Sequence, residues 1–329
     1  MRANGERLVA VLAVIVALAG GCGRAESVPG RGGTSVREVL PADVQDPAPP
    51  PSSTTESTEC GDPRASLRPT GTLPAPGHLP SGSAIDRIVR RGTLVAGVNQ
   101  NAYRVGYRDP VSGELSGFEI DIVREVARAL FGDPTRVRFV AISASNRVSM
   151  LQQGQIDVAV RTTTMTCENW RNAAFSTEYY TANQRLLVRD GDPATEIEQL
   201  SGRKVCAATG STSIINIPTF NPKAIPVSAP DVVDCLVMLQ QHQIDAISTS
   251  DILLMALAAQ DPNTRVVGRV LKQQPYGISV APTAPDLVRF VNGVLERIRV
   301  DGTWTASYTR WLSPILGSAP PPPLARYRA

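Results

Sequence analysis

Along most of the chain, apolar positions alternate between two spacings. Short runs such as TLVAGV, RVRFVAI and IDVAV are dense in β-branched residues and read as buried strands. Between them, apolar residues recur at three-and-four spacing, as helices require. From Ala84 the order is helix (AIDRIVRRG), strand (TLVAGV), hairpin, helix, strand (RVRFVAI), helix (NRVSMLQQG) and strand (IDVAV). The hairpin turns on YRDPVSGEL, with its Asp-Pro and Ser-Gly signals. The helix after it, GFEIDIVREVARAL, lays Ile122, Val123, Val126, Ala127 and Leu130 on one stripe. Asp121 suits the positive end of its dipole, and Gly132 ends it in the left-handed conformation.

Strands separated by helices predict an α/β fold with a mainly parallel sheet covered on both faces. This first lobe runs over 84–181. ANQRLLVRD, from Ala182, reads as a crossing strand, and a second set follows: helix (TEIEQLSG), strand (RKVCAAT), a helix opening at Gly210-Ser211-Thr212-Ser213, strand (KAIPVS), helix (DVVDCLVMLQQH), strand (IDAIST), helix (ILLMALAAQ). LQQGQIDVAV in the first set is echoed by LQQHQIDAIST in the second. QPYGISVAP reads as a returning strand that closes a second lobe over 182–281, and two helices over 282–313 complete the first. Two similar lobes with two crossings make a hinged clamshell.

The ends of the chain differ from this core. Arg2 and Arg7, the apolar run Leu8–Ala19 and two glycines before Cys22 make residues 1–21 a secretory signal, too short to span a membrane. Cys22 after Ala-Gly-Gly resembles a lipobox, in which this cysteine becomes the lipid-modified N-terminus. Residues 22–59, rich in Gly, Pro, Ser and Thr, read as a disordered linker. Residues 60–83 read as a strap and 314–329 as an unstructured tail.

Composition narrows the function classes. A net charge of +3 with scattered basic residues argues against a nucleic-acid partner. The two histidines, His78 and His242, lie near no plausible cysteine pair, so no metal and no cofactor are expected. Beyond Cys22, four cysteines remain in an exported chain, enough for two disulfides with three possible pairings. We expect Cys206–Cys235, on a strand and a helix adjacent in one α/β unit, and Cys60–Cys167, fastening the strap to the first lobe.

Gly117, Phe118, an acidic residue, Ile120, Asp121 and Ile122, then Val126, Ala127 and Leu130, resemble the signature of the family 3 extracellular solute-binding proteins at every fixed position. These are the receptors of polar amino-acid ABC transporters. A second landmark, RTTTMTCENWRNAAFSTEYY, carries a threonine-rich turn, a helix start, Phe-Ser and a tyrosine pair. The resemblance spans roughly Cys60 to the C-terminus, and within the family the likeness is to the glutamine-binding lipoproteins of actinobacteria. It implies a type II periplasmic-binding-protein-like clamshell.

Ligands of open parallel sheets bind beyond the carboxyl ends of the strands. After the first strand, Tyr103 is the candidate aromatic. After IDVAV, Thr162 and Thr164 offer hydroxyls, and Arg161 a fork of donors for a carboxylate. After RKVCAAT, Gly210 permits close backbone approach, and the N–H groups of Ser211 and Thr212 open a helix toward an anion. Two positions depart from the family pattern. Its carboxylate-binding arginine falls at Asn169, and its ammonium-binding aspartate at Ser250, with Asp251 next door. Rescue by Arg161 and Asp251, or an altered ligand, follows from that double change.

The expected protein is therefore a non-enzymatic, monomeric receptor, lipid-anchored on the extracytoplasmic face of the cell membrane. It binds a small polar amino acid (glutamine, glutamate or aspartate-like) or a related anion, and passes it to an ABC permease or reports it to a membrane sensor protein. The alternatives are a sensor or scaffold paralogue with an altered ligand, and a dehydratase-like enzyme on the same fold, for which Glu119 and Glu178 are the carboxylates to inspect.

Overall fold

A computed structural model describes residues 39–51, 58–76 and 82–328. The expected signal 1–21 and Cys22 lie outside the described residues. Leu40–Ala329 form one compact unit, and the following concerns that unit.

The β-branched runs pair as their composition requires. In the first lobe Leu94–Val98 lies between Val137–Ala141 and Val158–Val160, parallel to both. Ser279–Val280 then adds antiparallel to Val158–Val160, with Ala174–Phe175 at the edge. In the second lobe Lys204–Ala208 lies parallel to Ile225–Ala229 and Ala246–Ser250. The crossing strands Tyr180–Arg189 and Thr264–Tyr276 complete this sheet antiparallel to one another. Both crossings thus belong to the second sheet along their length and end at the first. The return occurs earlier than residue 282, because Gly277 already donates to the Thr163 carbonyl at 3.1 Å and Ser279 is in the first sheet.

Helices form where the stripes predict them: Ala84–Arg91, Phe118–Phe131, Arg147–Gln152, Thr212–Phe220, Val232–Gln240, Asp251–Ala258, Pro285–Val300 and Thr303–Trp311. TEIEQLSG is the exception, forming only the 3-10 turn Ile197–Leu200. Its capping box closes the backbone at Glu196, Asn221 Nδ2 donates to the Ile197 carbonyl at 2.7 Å, and Ser201 is already extended.

The start of the helix Phe118–Phe131 connects the first lobe to everything around it. Phe118 is fully buried among Tyr179, Tyr180, Trp304 and Tyr308, edge-on to three of them. Asp121 accepts from Ser307 Oγ (2.8 Å) and Trp311 Nε1 (2.7 Å), which docks the C-terminal helices. Gly117 is required by its surroundings. Its φ is 128°, and a Cβ there would lie 2.4 Å from the Val105 carbonyl oxygen.

Both disulfides form as expected, Cys60–Cys167 and Cys206–Cys235. The tail 314–329 corrects the expectation of disorder. Arg326–Tyr327 forms a parallel ladder with Ala65–Ser66, Arg328 stacks 3.9 Å from the Trp170 ring, and Arg68 stacks 4.6 Å from that of Tyr327. The backbone pairing and cation–ring contacts offset an ordering entropy that composition alone leaves uncompensated. Part of the linker 22–59 is also ordered. Gln45 exchanges backbone bonds with Ser228, Ala48 donates to the Pro226 carbonyl, and Asp46 pairs with Lys204, so this segment covers the open edge of the second sheet. Cys60 is then bonded to the first lobe, where Arg64 Nε also meets Glu178 at 2.8 Å. The segment therefore touches the second lobe before it reaches the first.

Replacing Gly117 with alanine forces the Val105 carbonyl aside in a backbone region that disfavours side chains. The variant is expected to lose about 1–3 kcal/mol of stability, read as a lowered denaturation midpoint.

Candidate functional site

The lobes face each other across a cleft. From the first lobe come Asn99, beyond Leu94–Val98, and Ala144 and Arg147, beyond Val137–Ala141. The turn 161–164, beyond Val158–Val160, adds Arg161 and three threonines. The second lobe contributes Ser211, Thr212 and Ser213 at the start of Thr212–Phe220, with Thr249, Gln274 and Tyr276. The enclosed space is about 40 Å³, room for a few water-sized groups, so the lobes stand in contact.

The turn 161–164 is held from beneath. Thr162 has φ 40°, a left-handed value that disfavours a β-branched residue. Its N–H donates to the Glu119 carboxylate at 2.6 Å, and the Tyr179 hydroxyl donates to the same oxygen. Met165 N–H donates to the Pro275 carbonyl (2.7 Å), which ties the turn to the second crossing. Asn169 Nδ2 donates to the Thr164 carbonyl at 2.8 Å. The turn is thus presented by both of the strands that join the lobes.

Contacts across the cleft are polar and few. Thr164 and Thr212 hydroxyls lie 3.1 Å apart. Arg161 Nη2 lies 3.4 Å from Asp231 Oδ2, while its Nε donates to the Ile142 carbonyl at 2.6 Å. Burial holds the Arg161 guanidinium below the usual arginine range, with Asp231 and Glu119 acting against it. Gly210, at φ 74°, brings the second lobe so close that a Cβ would lie 2.9 Å from Ser145 Cα of the first. Its role is close lobe-to-lobe approach, and it does not line the cavity.

The candidate residues therefore divide. Arg161, Thr162, Thr164, Asn169, Ser211 and Thr212 line one cavity. Tyr103 does not: it packs edge-on against Tyr107, 5.2 Å between centroids, with Arg104 over its face. Asp251 turns away, accepting from Asn183 N–H (3.1 Å) and Nδ2 (2.9 Å), and so fastens its helix to the first crossing. Ser250 is buried and also off the lining, where Thr249 and Leu253 stand instead. A shift of one residue along a strand reverses the face, which explains the exchange of Ser250 for Thr249.

Two charged residues were missed. Arg147 is 7% exposed and lines the cavity, donating from Nη1 to the Ala144 carbonyl (2.9 Å) and from Nη2 toward Asn169 Oδ1 (3.4 Å). Burial, then repulsion from Arg161, brings it down to about 10. Asp231 caps Val232–Gln240 through Val233 N–H (3.2 Å) while facing Arg161. The signal for both is in the sequence, since each follows the carboxyl end of a parallel strand, Val137–Ala141 for Arg147 and Ile225–Ala229 for Asp231.

The two carboxylates considered for catalysis have other partners. Glu178 is buried, pairs with Arg64 and accepts from Thr181 Oγ1. Glu119 sits behind the turn and off the lining. Burial pushes it up to about 7 from an ordinary 4.5, and the bonds from Tyr179 and Thr162 and the charge of Arg161 pull the other way. The folded chain holds this proton to higher pH than the unfolded chain. The associated stability is full below about pH 4.5 and is lost as pH rises through about 7. Glu119→Gln keeps an acceptor for both bonds and removes the titration. The fall in stability between pH 5 and pH 8 should shrink by on the order of 2–3 kcal/mol, read from denaturant midpoints at the two pH values.

Residues 94–314 match the family described as bacterial extracellular solute-binding proteins, family 3. The ABC transporter glutamine-binding protein of Bacillus subtilis is 33% identical over 220 residues, 67% of this chain and 81% of that protein. Among solved structures, an ancestral arginine-binding protein bound to glutamine is 29% identical, with a TM-score of 0.63 over 68% of this chain and 98% of that one. A mutant of the Thermotoga arginine-binding protein, ArgBP from T. maritima, is 27% identical with a TM-score of 0.65, covering 70% of this chain and 99% of that one. These are two-domain binding proteins of the same clamshell build, and the family match takes in more than half of the chain: the protein belongs to the bacterial extracellular solute-binding proteins of family 3.

Proposed function

We propose that this receptor is held on the extracytoplasmic face of the cell membrane by a lipid on Cys22. It closes on a small polar amino acid of the glutamine, glutamate or aspartate kind and hands it to an ABC permease. The observation that carries this reading is the polar cavity between turn 161–164 of one lobe and the helix start Ser211–Ser213 of the other. A ligand bridging these groups contacts both lobes only when they are closed, and that differential affinity drives closure. Support for the ligand class comes from relatives described as binding glutamine and, at 26% identity, importing glutamate and aspartate.

Reporting to a membrane partner is a second reading, favoured by the course of the chain from Gln45 to Cys60. That segment is fastened to the second lobe through Ser228 and to the first through Cys167. Lobe opening would pull on it, which would give a membrane-proximal segment information about occupancy.

The full-length chain in detergent should gain stability with L-glutamine, L-glutamate or L-aspartate, by about 2.7 kcal/mol at a hundredfold excess over Kd. No product should form, and Arg161→Ala should abolish the gain. Silence with every amino acid would sink the receptor reading. Separately, Cys22→Ala should move the exported chain from the membrane to the soluble fraction; retention at the membrane would remove the lipid anchor.

A further inference from the structure

The cavity carries charge of one sign. Arg147 and Arg161, 7% and 5% exposed, are on its lining, and among the described residues no aspartate, glutamate, lysine or histidine is. Arg147 makes no ion pair among the described residues, and its partners are the neutral Ala144 carbonyl and Asn169 Oδ1. Arg161 donates to the Ile142 carbonyl, meets Asp231 at 3.4 Å and feels the charge of Glu119 behind the turn, but Asp231 is already engaged as a helix cap and neither carboxylate is on the lining. A buried guanidinium without a close carboxylate is costly unless an anion completes it. Asn169 fits this arrangement. A neutral side chain there orients Arg147 through Oδ1 and avoids a third positive charge beside it.

The carboxylates nearest the cleft are spoken for. Asp231 caps its helix through one oxygen and faces Arg161 with the other, Asp251 is bound on both oxygens by Asn183, and Ser250 supplies only a hydroxyl off the lining. On the second lobe the cavity offers hydroxyls and the Gln274 amide, whose Nε2 donates to Thr212 Oγ1 (3.2 Å) and Ser213 Oγ (3.1 Å).

Resting on the receptor reading above, we infer that the cleft selects a small dicarboxylate, with one carboxylate on Arg147 and the other on Arg161, and that an α-ammonium is dispensable. Arginine's planar fork suits each carboxylate, and the cavity between closed lobes favours a short spacer. A monoamide such as glutamine leaves one guanidinium with only a neutral acceptor, which should weaken binding on the order of tenfold or more.

Calorimetric titration of the full-length chain in detergent with succinate, glutarate, L-glutamate and L-glutamine tests this. The better of the two plain diacids should bind within a few-fold of L-glutamate and roughly tenfold or more above L-glutamine. Arg147→Ala should erase the preference for diacid over glutamine, and Arg147→Lys, which keeps the charge, should retain much of it. Melting of each variant without ligand checks that it folds, and the ligand ranking of the unaltered chain stands even where a variant does not. Glutamine binding as tightly as the diacids would overturn the inference and leave the receptor reading intact. L-glutamate exceeding both diacids by tenfold or more would show that the ammonium is read, and would also overturn it. No binding by any of the four would bring down both.

Discussion

The cleft depends on one buried carboxylate. Glu119, on the first turn of the helix Phe118–Phe131, accepts the Thr162 N–H and the Tyr179 hydroxyl on a single oxygen. Thr162 occupies a left-handed conformation that costs on the order of 1–2 kcal/mol for a side chain of its kind. A strong bond from its N–H to a fixed acceptor keeps it there. The neighbours Arg161 and Thr164 then project toward the second lobe, and Tyr179 is tied to the chain just before the first crossing. Cleft-facing turn, signature helix and the start of the first crossing therefore share an acceptor, so a change in one is felt by the others.

The second constraint is the polar character of the contacts across the cleft. The polar meeting points include a threonine pair, an arginine–aspartate pair at 3.4 Å, Asn101 Nδ2 with the same aspartate at 3.5 Å, and the approach of Gly210 to Ser145. None is a large apolar interface between the cleft walls. The arginine–aspartate pair is largely buried and long, so its attraction is set against the desolvation of both partners. Such an arrangement suits a protein that must open and close, because closure then depends on what occupies the gap.

Much of the fold was legible because it follows from local patterning. The strand–helix alternation, the left-handed glycine at Gly132, the cap at Ser211 and both disulfides were all within reach of spacing and residue type. Of the residues that line the cavity, the threonine turn and the helix start were legible, since each directly follows a recognisable strand. Arg147 and Asp231 obey the same rule and were passed over. Asp251 and Tyr103 were drawn in by chemistry that suits a ligand, but Asn183 holds the one and Tyr107 packs on the other. The tail and the segment 45–48 read as disordered because their partners, Ala65–Ser66 and the edge at Ser228, are far away in sequence.

By itself the sequence determined the α/β lobes, their duplication, the signature helix and the presence of a polar cleft, because periodicity and turn chemistry act over a few residues. Tertiary structure alone decided which charges face that cleft. Whether Arg147 points inward, whether Asp251 is spent on a crossing strand, and whether Asp231 meets Arg161 depend on segments 22, 68 and 70 residues apart in the chain. Coulomb and hydrogen-bond partners are chosen by proximity in space, and that proximity exists only once both sheets have formed and the crossings have brought them together.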